Sequence, residues 1–233
     1  MEIENQNKPG SAAFRNSCIR CGTCCEKGGP CLHLEDRQLV DEGLIHTRCL
    51  YTIRRGEMVH DNVRNVVMPS PEEMIKIKGM ESSWQCTFFN AAESACGIYR
   101  HRPMECRVLK CWDPSGIEAV YDRDRLKRQD LLADIAGLWD LVQEHERQCS
   151  YPKLKLILND MDRNRDTGFQ RTAVASTVTM VRYDREVRDL VVSKGGVEPG
   201  MTDFLFGRPL SKTIEVFGYK VREKDGKGAL VRI

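Results

Sequence analysis

The chain lacks the marks of export, of a membrane span and of a surface dominated by one charge. Met1-Glu2-Ile3-Glu4-Asn5 places acids where a secretory signal would carry positive charge, and no apolar run follows. No stretch approaches the roughly 18 to 20 consecutive apolar residues of a membrane helix. With 36 basic and 34 acidic residues the net charge is only +2, which argues against a surface built to bind nucleic acid or anionic lipid. The expectation is a cytoplasmic protein with neither nucleic acid nor membrane as partner. Catalytic signatures are missing too: there is no G-x-S-x-G, Walker loop or G-x-G-x-x-G. The C-x3-C-x2-C spacing of radical enzymes begins at Cys21 and Cys25, but Gly28 stands in the third place. No cysteine follows Cys149.

What is abundant is cysteine before that point. Of eleven in 233 residues, ten lie between Cys18 and Cys111. A disulfide framework belongs to small exported domains whose cores cannot hold them together, whereas a chain of this length with 41% hydrophobic residues can build a core. In a reducing compartment, clustered cysteines point instead to metal ligands or redox groups.

The pattern along the chain predicts an α+β protein, mainly helical, with a loop-rich cysteine metal module over 1–114 and a mostly helical region over 115–233 that ends in a small β-hairpin. Residues 1–17 read as a polar arm. A helix is expected over 33–45, closed by Gly43, and short strands over 50–68. Pro71 followed by Glu72 and Glu73 reads as a helix start, with Gly79 as its end. Residues 84–114 read as loop with a short helical turn near Pro103–Val108. An apolar stripe from Leu126 through Leu132, Leu138 and Val142 predicts one helix over 122–148, and another is expected over 170–192. A short helix at 200–206 follows. In the hairpin, Val216–Val221 and Ala229–Ile233 flank a turn at Lys224–Gly228.

The first cysteine group reads Cys18-x2-Cys21-x2-Cys24-Cys25 in a segment rich in glycine. Two residues between cysteines let the chain fold back so that thiolates point at one centre. Three at this spacing resemble the opening of a bacterial ferredoxin motif. The x3-Cys-Pro that should follow is absent, and Cys25 comes at once. Neighbouring side chains diverge from an extended segment, so Cys24 and Cys25 are open to service in two centres. The second group, Cys86-x9-Cys96-x9-Cys106-x4-Cys111, is too widely spaced for one knuckle and implies ligands brought together by the fold. Arg20, Lys27, Arg100, Arg102, Arg107 and Lys110 stand beside these cysteines, where they could offset the negative charge of a thiolate site. No histidine has a C-x2-H or H-x3-H partner; His101 alone lies inside the second group.

Taken together, Cys18-x2-Cys21-Gly22-Thr23-Cys24-Cys25, Cys86-Thr87-Phe88-Phe89, Cys96-Gly97-Ile98-Tyr99 and Arg102-Pro103-x2-Cys106-Arg107 resemble the YkgJ-type cysteine-cluster family, a CxxCxxCC zinc- or iron-chelating domain. The resemblance covers roughly residues 15–112 and implies metal chelation by these cysteines. The expected ligands are Cys18, Cys21, Cys24, Cys25, Cys86, Cys96, Cys106 and Cys111. Cys31 follows Gly28-Gly29-Pro30 outside the motif, and Cys49 and Cys149 read as isolated thiols. The all-thiolate set and the lack of a second C-x2-C knuckle favour an iron-sulfur cluster of the 4Fe-4S type, serving electron transfer or an accessory role with an unknown protein or redox partner. The alternative is a structural zinc module that mediates protein interaction, and a redox enzyme using an exposed thiol is a third reading.

Overall fold

The computed structural model describes residues 18–80, 83–163, 166–224 and 227–233. The expected arm over 1–17, and Asp225 and Gly226 of the expected turn, lie outside them.

The chain is mainly helical, with a loop-rich N-terminal part and an antiparallel hairpin at its C-terminal end. A turn of helix, α1 (Thr23–Glu26), and then α2 (Arg37–Asp41) open it; α2 follows a 3-10 turn at Leu34–Asp36. The strands come next: β1 (Leu50–Ile53), β2 (Met58–Asp61), β3 (Val66–Pro69) and β4 (Met74–Ile77). The second cysteine group holds the two-residue strands β5 (Phe89–Asn90) and β6 (Ala95–Cys96), then α3 (Met104–Val108) and α4 (Ser115–Glu118). Helices α5 (Arg128–Leu132), α6 (Leu138–Gln148), α7 (Tyr151–Arg163) and α8 (Thr167–Ser193) follow. Short helices α9 (Thr202–Phe206) and α10 (Leu210–Thr213) lead into the hairpin β7 (Tyr219–Lys224) and β8 (Lys227–Arg232).

The helix expected after Pro71 is a strand. Met74-Ile75-Lys76-Ile77 alternates with period two, and β4 pairs antiparallel with β1 in the register Leu50↔Ile77, Tyr51↔Lys76, Thr52↔Ile75 and Ile53↔Met74. Ile75 and Ile77 therefore enter the core while Met74 and Lys76 turn to the other face. The acids that resembled a helix start make ion pairs instead, Glu73 with Arg128 and Glu72 with Lys127. Residues Pro30–Leu32 run along the free edge of β4: Leu32 N–H donates to Ile75 O at 2.9 Å, and Ile77 N–H donates to Pro30 O at 3.0 Å.

The single helix expected over 122–148 is broken into α5 and α6. Gly137 at φ 78° turns the chain between them, and Ile135 of the apolar stripe is left exposed at the break. This kink lets Leu132 and Val142 reach one core. Helix α7 had no counterpart in the sequence reading. It begins with Pro152 in its first turn and buries Leu154, Leu158 and Met161, an i, i+4, i+7 stripe. Helix α8 starts where the Asp166 carboxylate accepts from Phe169 N–H at 2.7 Å. The hairpin begins at Tyr219, later than expected, because residues 214–217 form a 3-10 turn closed by Gly218 at φ 79°.

One hydrophobic cluster joins Leu32, Leu50, Ile75 and Cys86 to Leu126, Val142, Val187 and Phe206, so the cysteine-bearing part and the helical part share a core. A second cluster lies between α7, α8, α10 and the hairpin.

Candidate metal centre

The first cysteine loop is shaped by two positive φ angles, 55° at Arg20 and 78° at Gly22. Gly22 carries the close approach. A Cβ there would sit 2.4 Å from Cζ of Phe89, so the bare backbone lets the loop dock on the second cysteine group. Gly22 O also accepts from the N–H groups of Cys25 and Glu26, which sets the turn of α1. Because that segment is helical rather than extended, Cys24 and Cys25 do not diverge: their Sγ atoms lie 3.9 Å apart.

The second group is tied to the first through backbone. Cys86 N–H donates to Cys25 O at 2.7 Å, the β5–β6 ladder pairs Phe89 with Cys96, and Gly97 N–H donates to Phe88 O at 2.8 Å. Cys106 arrives on α3, whose position is fixed from outside the cysteine loops. Met104 N–H donates to the buried carboxylate of Asp36 at 2.8 Å, Glu105 Oε2 accepts from Cys31 N–H at 2.7 Å, and Arg107 pairs with Glu35.

Electrostatics place five of these thiols in one group. The Cys106 thiol is pushed far above its ordinary range by burial and then by Cys86, Cys25, Cys96 and Cys24. Burial, then Cys24, pushes Cys25 up to about 12, with Cys86 and Cys96 adding to it. Cys86 is raised by burial and by Cys96 and Cys24. Thiols packed in this way resist ionisation because each new thiolate would face the others in a partly dry site. A divalent cation reverses that balance, since thiolate is the ligating form. Thiol chemistry suits zinc or iron, but among the described residues no three of these thiols bring their sulfurs within 4.8 Å of one another, so the cysteines are neighbours rather than a closed donor set.

The other expected ligands are placed less centrally. Cys18, Cys21 and Cys111 are exposed; Arg20 N–H donates to Cys18 Sγ at 3.4 Å, and Cys21 Sγ lies 3.3 Å from Thr23 Oγ1. Cys31 faces away from the cluster, toward Met74 and Lys76. Cys49, read from sequence as isolated, lies close enough for its charge to bear on Cys86. Around the rim, Arg20 and Arg102 stack on the Tyr99 ring, at 4.7 and 3.9 Å from its centroid.

Sequence reading missed a second donor group. His145, Cys149 and Asp184 are buried and offer ligand atoms within 4.8 Å of one another, close enough to hold a metal ion. His145-x3-Cys149 on one helix face is visible in the sequence, but nothing there points to Asp184 on α8. In this structure Asp184 accepts from His145 Nε2 at 2.8 Å, Arg188 Nε at 3.1 Å and Leu210 N–H at 2.8 Å, which joins three helices. Burial pushes the Cys149 thiol up to about 12. Among the described residues, no helix is long and apolar enough to cross a membrane.

Residues 17–130, just under half the chain, match the model of a protein family described as "CxxCxxCC: Putative zinc- or iron-chelating domain". Comparison with curated proteins and with solved structures gives no match.

Proposed function

We propose that the protein, whose residues 17–130 match the CxxCxxCC zinc- or iron-chelating domain model, is a metal-binding module in which zinc is held by thiolates from both cysteine groups and ties them into a surface for a protein partner. The observation that carries this reading is the gathering of Cys24, Cys25, Cys86, Cys96 and Cys106, drawn from three separate segments, around the Cys25–Cys86 backbone bond. Bound there, the metal supplies a cross-link between loops far apart in sequence. The protein's own residues do the positioning: Gly22 admits Phe89, Asp36 and Glu105 hold α3, and the backbone of Cys25 receives Cys86. Cys18, Cys21 and Cys111 extend the donor set at its rim. The setting is a cytoplasmic protein whose thiols stay reduced.

A second reading, a 4Fe-4S cluster with an electron-transfer role, is favoured by the wholly thiolate donor set and by the x2 spacing of Cys18, Cys21 and Cys24. Anaerobic purification with metal and sulfide analysis separates the two. Colourless protein with stoichiometric zinc and no sulfide supports the zinc module. A brown protein bleached by dithionite, with iron and sulfide in comparable amounts, supports the cluster. Protein that holds neither metal overturns both.

A further inference from the structure

The face of β4 turned away from the core has a use of its own. In the register of β1 and β4, Tyr51 stands opposite Lys76, and the bridge from Cys31 to Lys76 continues the row, so three polar side chains lie abreast on one face. That face floors an open groove of about 1310 Å³, whose apolar part includes Ile53, Met58 and Met74. Of the groove's other cations, Lys27 is exposed to solvent and Arg64 pairs with Asp61. Arg125 bonds Tyr121 O and pairs with Glu72, Arg208 pairs with Glu57, and Lys78 pairs with Asp203. The Lys76 ammonium has no carboxylate partner among the described residues; its hydrogen bond goes to Cys31 Sγ at 3.5 Å, a neutral thiol that burial holds protonated. Glu105, whose charge also bears on it, is occupied by Cys31 N–H and His33. The Tyr51 hydroxyl likewise makes no bond among the described residues.

A half-buried ammonium with a neutral partner favours an anion, because its lost hydration is otherwise poorly replaced. A single half-buried cation without a carboxylate partner at the floor of the groove suits a monoanion better than a phosphate dianion. We propose that this groove binds a small organic carboxylate with an apolar tail, the carboxylate on Lys76 and Tyr51 and the tail along Ile53, Met74 and Met58. The site is separate from the cysteine cluster and does not depend on which metal that cluster holds.

The test is calorimetric titration of the full-length, metal-loaded protein with octanoate and with octylammonium, which share a tail and differ in the sign of the head. Octanoate is expected to bind saturably and octylammonium not. Lys76→Met, which keeps the packing and removes the charge, is expected to weaken octanoate by about tenfold or more, as for a lost charge-assisted hydrogen bond. Octanoate is also expected to slow alkylation of Cys31, followed by peptide mass spectrometry. Failure of octanoate to saturate, equal binding of octylammonium, or undiminished binding by Lys76→Met would each overturn the proposal. If Lys76→Met does not fold, the comparison of the two ligands on the unaltered protein decides it.

Discussion

Cys106 is the proposed ligand with the most crowded thiol, since burial and four neighbouring cysteines all oppose its ionisation. Replacing it removes a thiolate and leaves the remaining cysteines without a complete set. Cys106→Ser is therefore expected to lose most of the bound metal, measured by elemental analysis, whereas Cys31→Ser, facing Met74 and Lys76 instead, is expected to keep it. Metal retained in full by Cys106→Ser would remove α3 from the site. His145 sets a pH dependence of a different origin. Burial holds its imidazole below the ordinary value of 6.5, although the Asp184 hydrogen bond opposes this. The unfolded chain then binds a proton that the native state does not, so the contribution is present above pH ~6.5 and is lost as pH falls below it. The melting temperature should drop more between pH 7.5 and 5.5 for the unaltered protein than for His145→Gln. Equal drops would show that another group carries the acid sensitivity.

At the scale of elements, β4 and the first cysteine loop show how narrow the constraints are. Ile75→Ala opens a cavity under the β1–β4 pair and is expected to cost about 2–5 kcal/mol in denaturant unfolding, while exchanges on the groove face leave that core untouched. Gly22→Ala must both strain a φ of 78° and displace Phe89. It should separate the loops and lower metal affinity, and a variant binding metal as tightly as the parent would be evidence against the docking geometry. Arg128 works across elements: it bonds Glu73 ahead of β4, Glu146 on α6 and Leu205 O on α9. Arg128→Leu leaves two carboxylates short of their partner and is expected to destabilise the fold by about 3–5 kcal/mol.

For the whole molecule, the shared core makes metal binding a property of more than the cysteine loops. Leu32, Ile75 and Cys86 pack in the same cluster as Val142, Val187 and Phe206, so loosening the loops reaches the long helices. Chelation should lower the thermal midpoint, and the transition followed by helix circular dichroism should coincide with that followed by tryptophan fluorescence in a Trp84→Phe, Trp112→Phe variant that keeps Trp139, which packs on this core. Two separated transitions would mean that the cysteine module and the helices unfold independently.

Several features are legible in local chemistry alone. Glycine and proline around the cysteines dictate loop, the stripe in α8 dictates helix, and the cysteine spacing matches the model of a chelating domain family. Where local signals conflict, the tertiary structure decides. Pro71-Glu72-Glu73 has the form of a helix start, yet β4 is a strand because β1 and the edge at Pro30–Leu32 supply its hydrogen bonds and Glu73 finds Arg128. The stripe through Leu126–Val142 is continuous in sequence but bends at Gly137 to serve one core. The sequence by itself determined which residues can ligate a metal, because thiol chemistry resides in the side chain. Only the folded chain decided that Cys24, Cys25, Cys86 and Cys96 lie near enough to Cys106 to raise its pKa and that Cys31 turns toward Lys76, because proximity across more than sixty residues is set by packing and backbone pairing, which spacing alone does not encode.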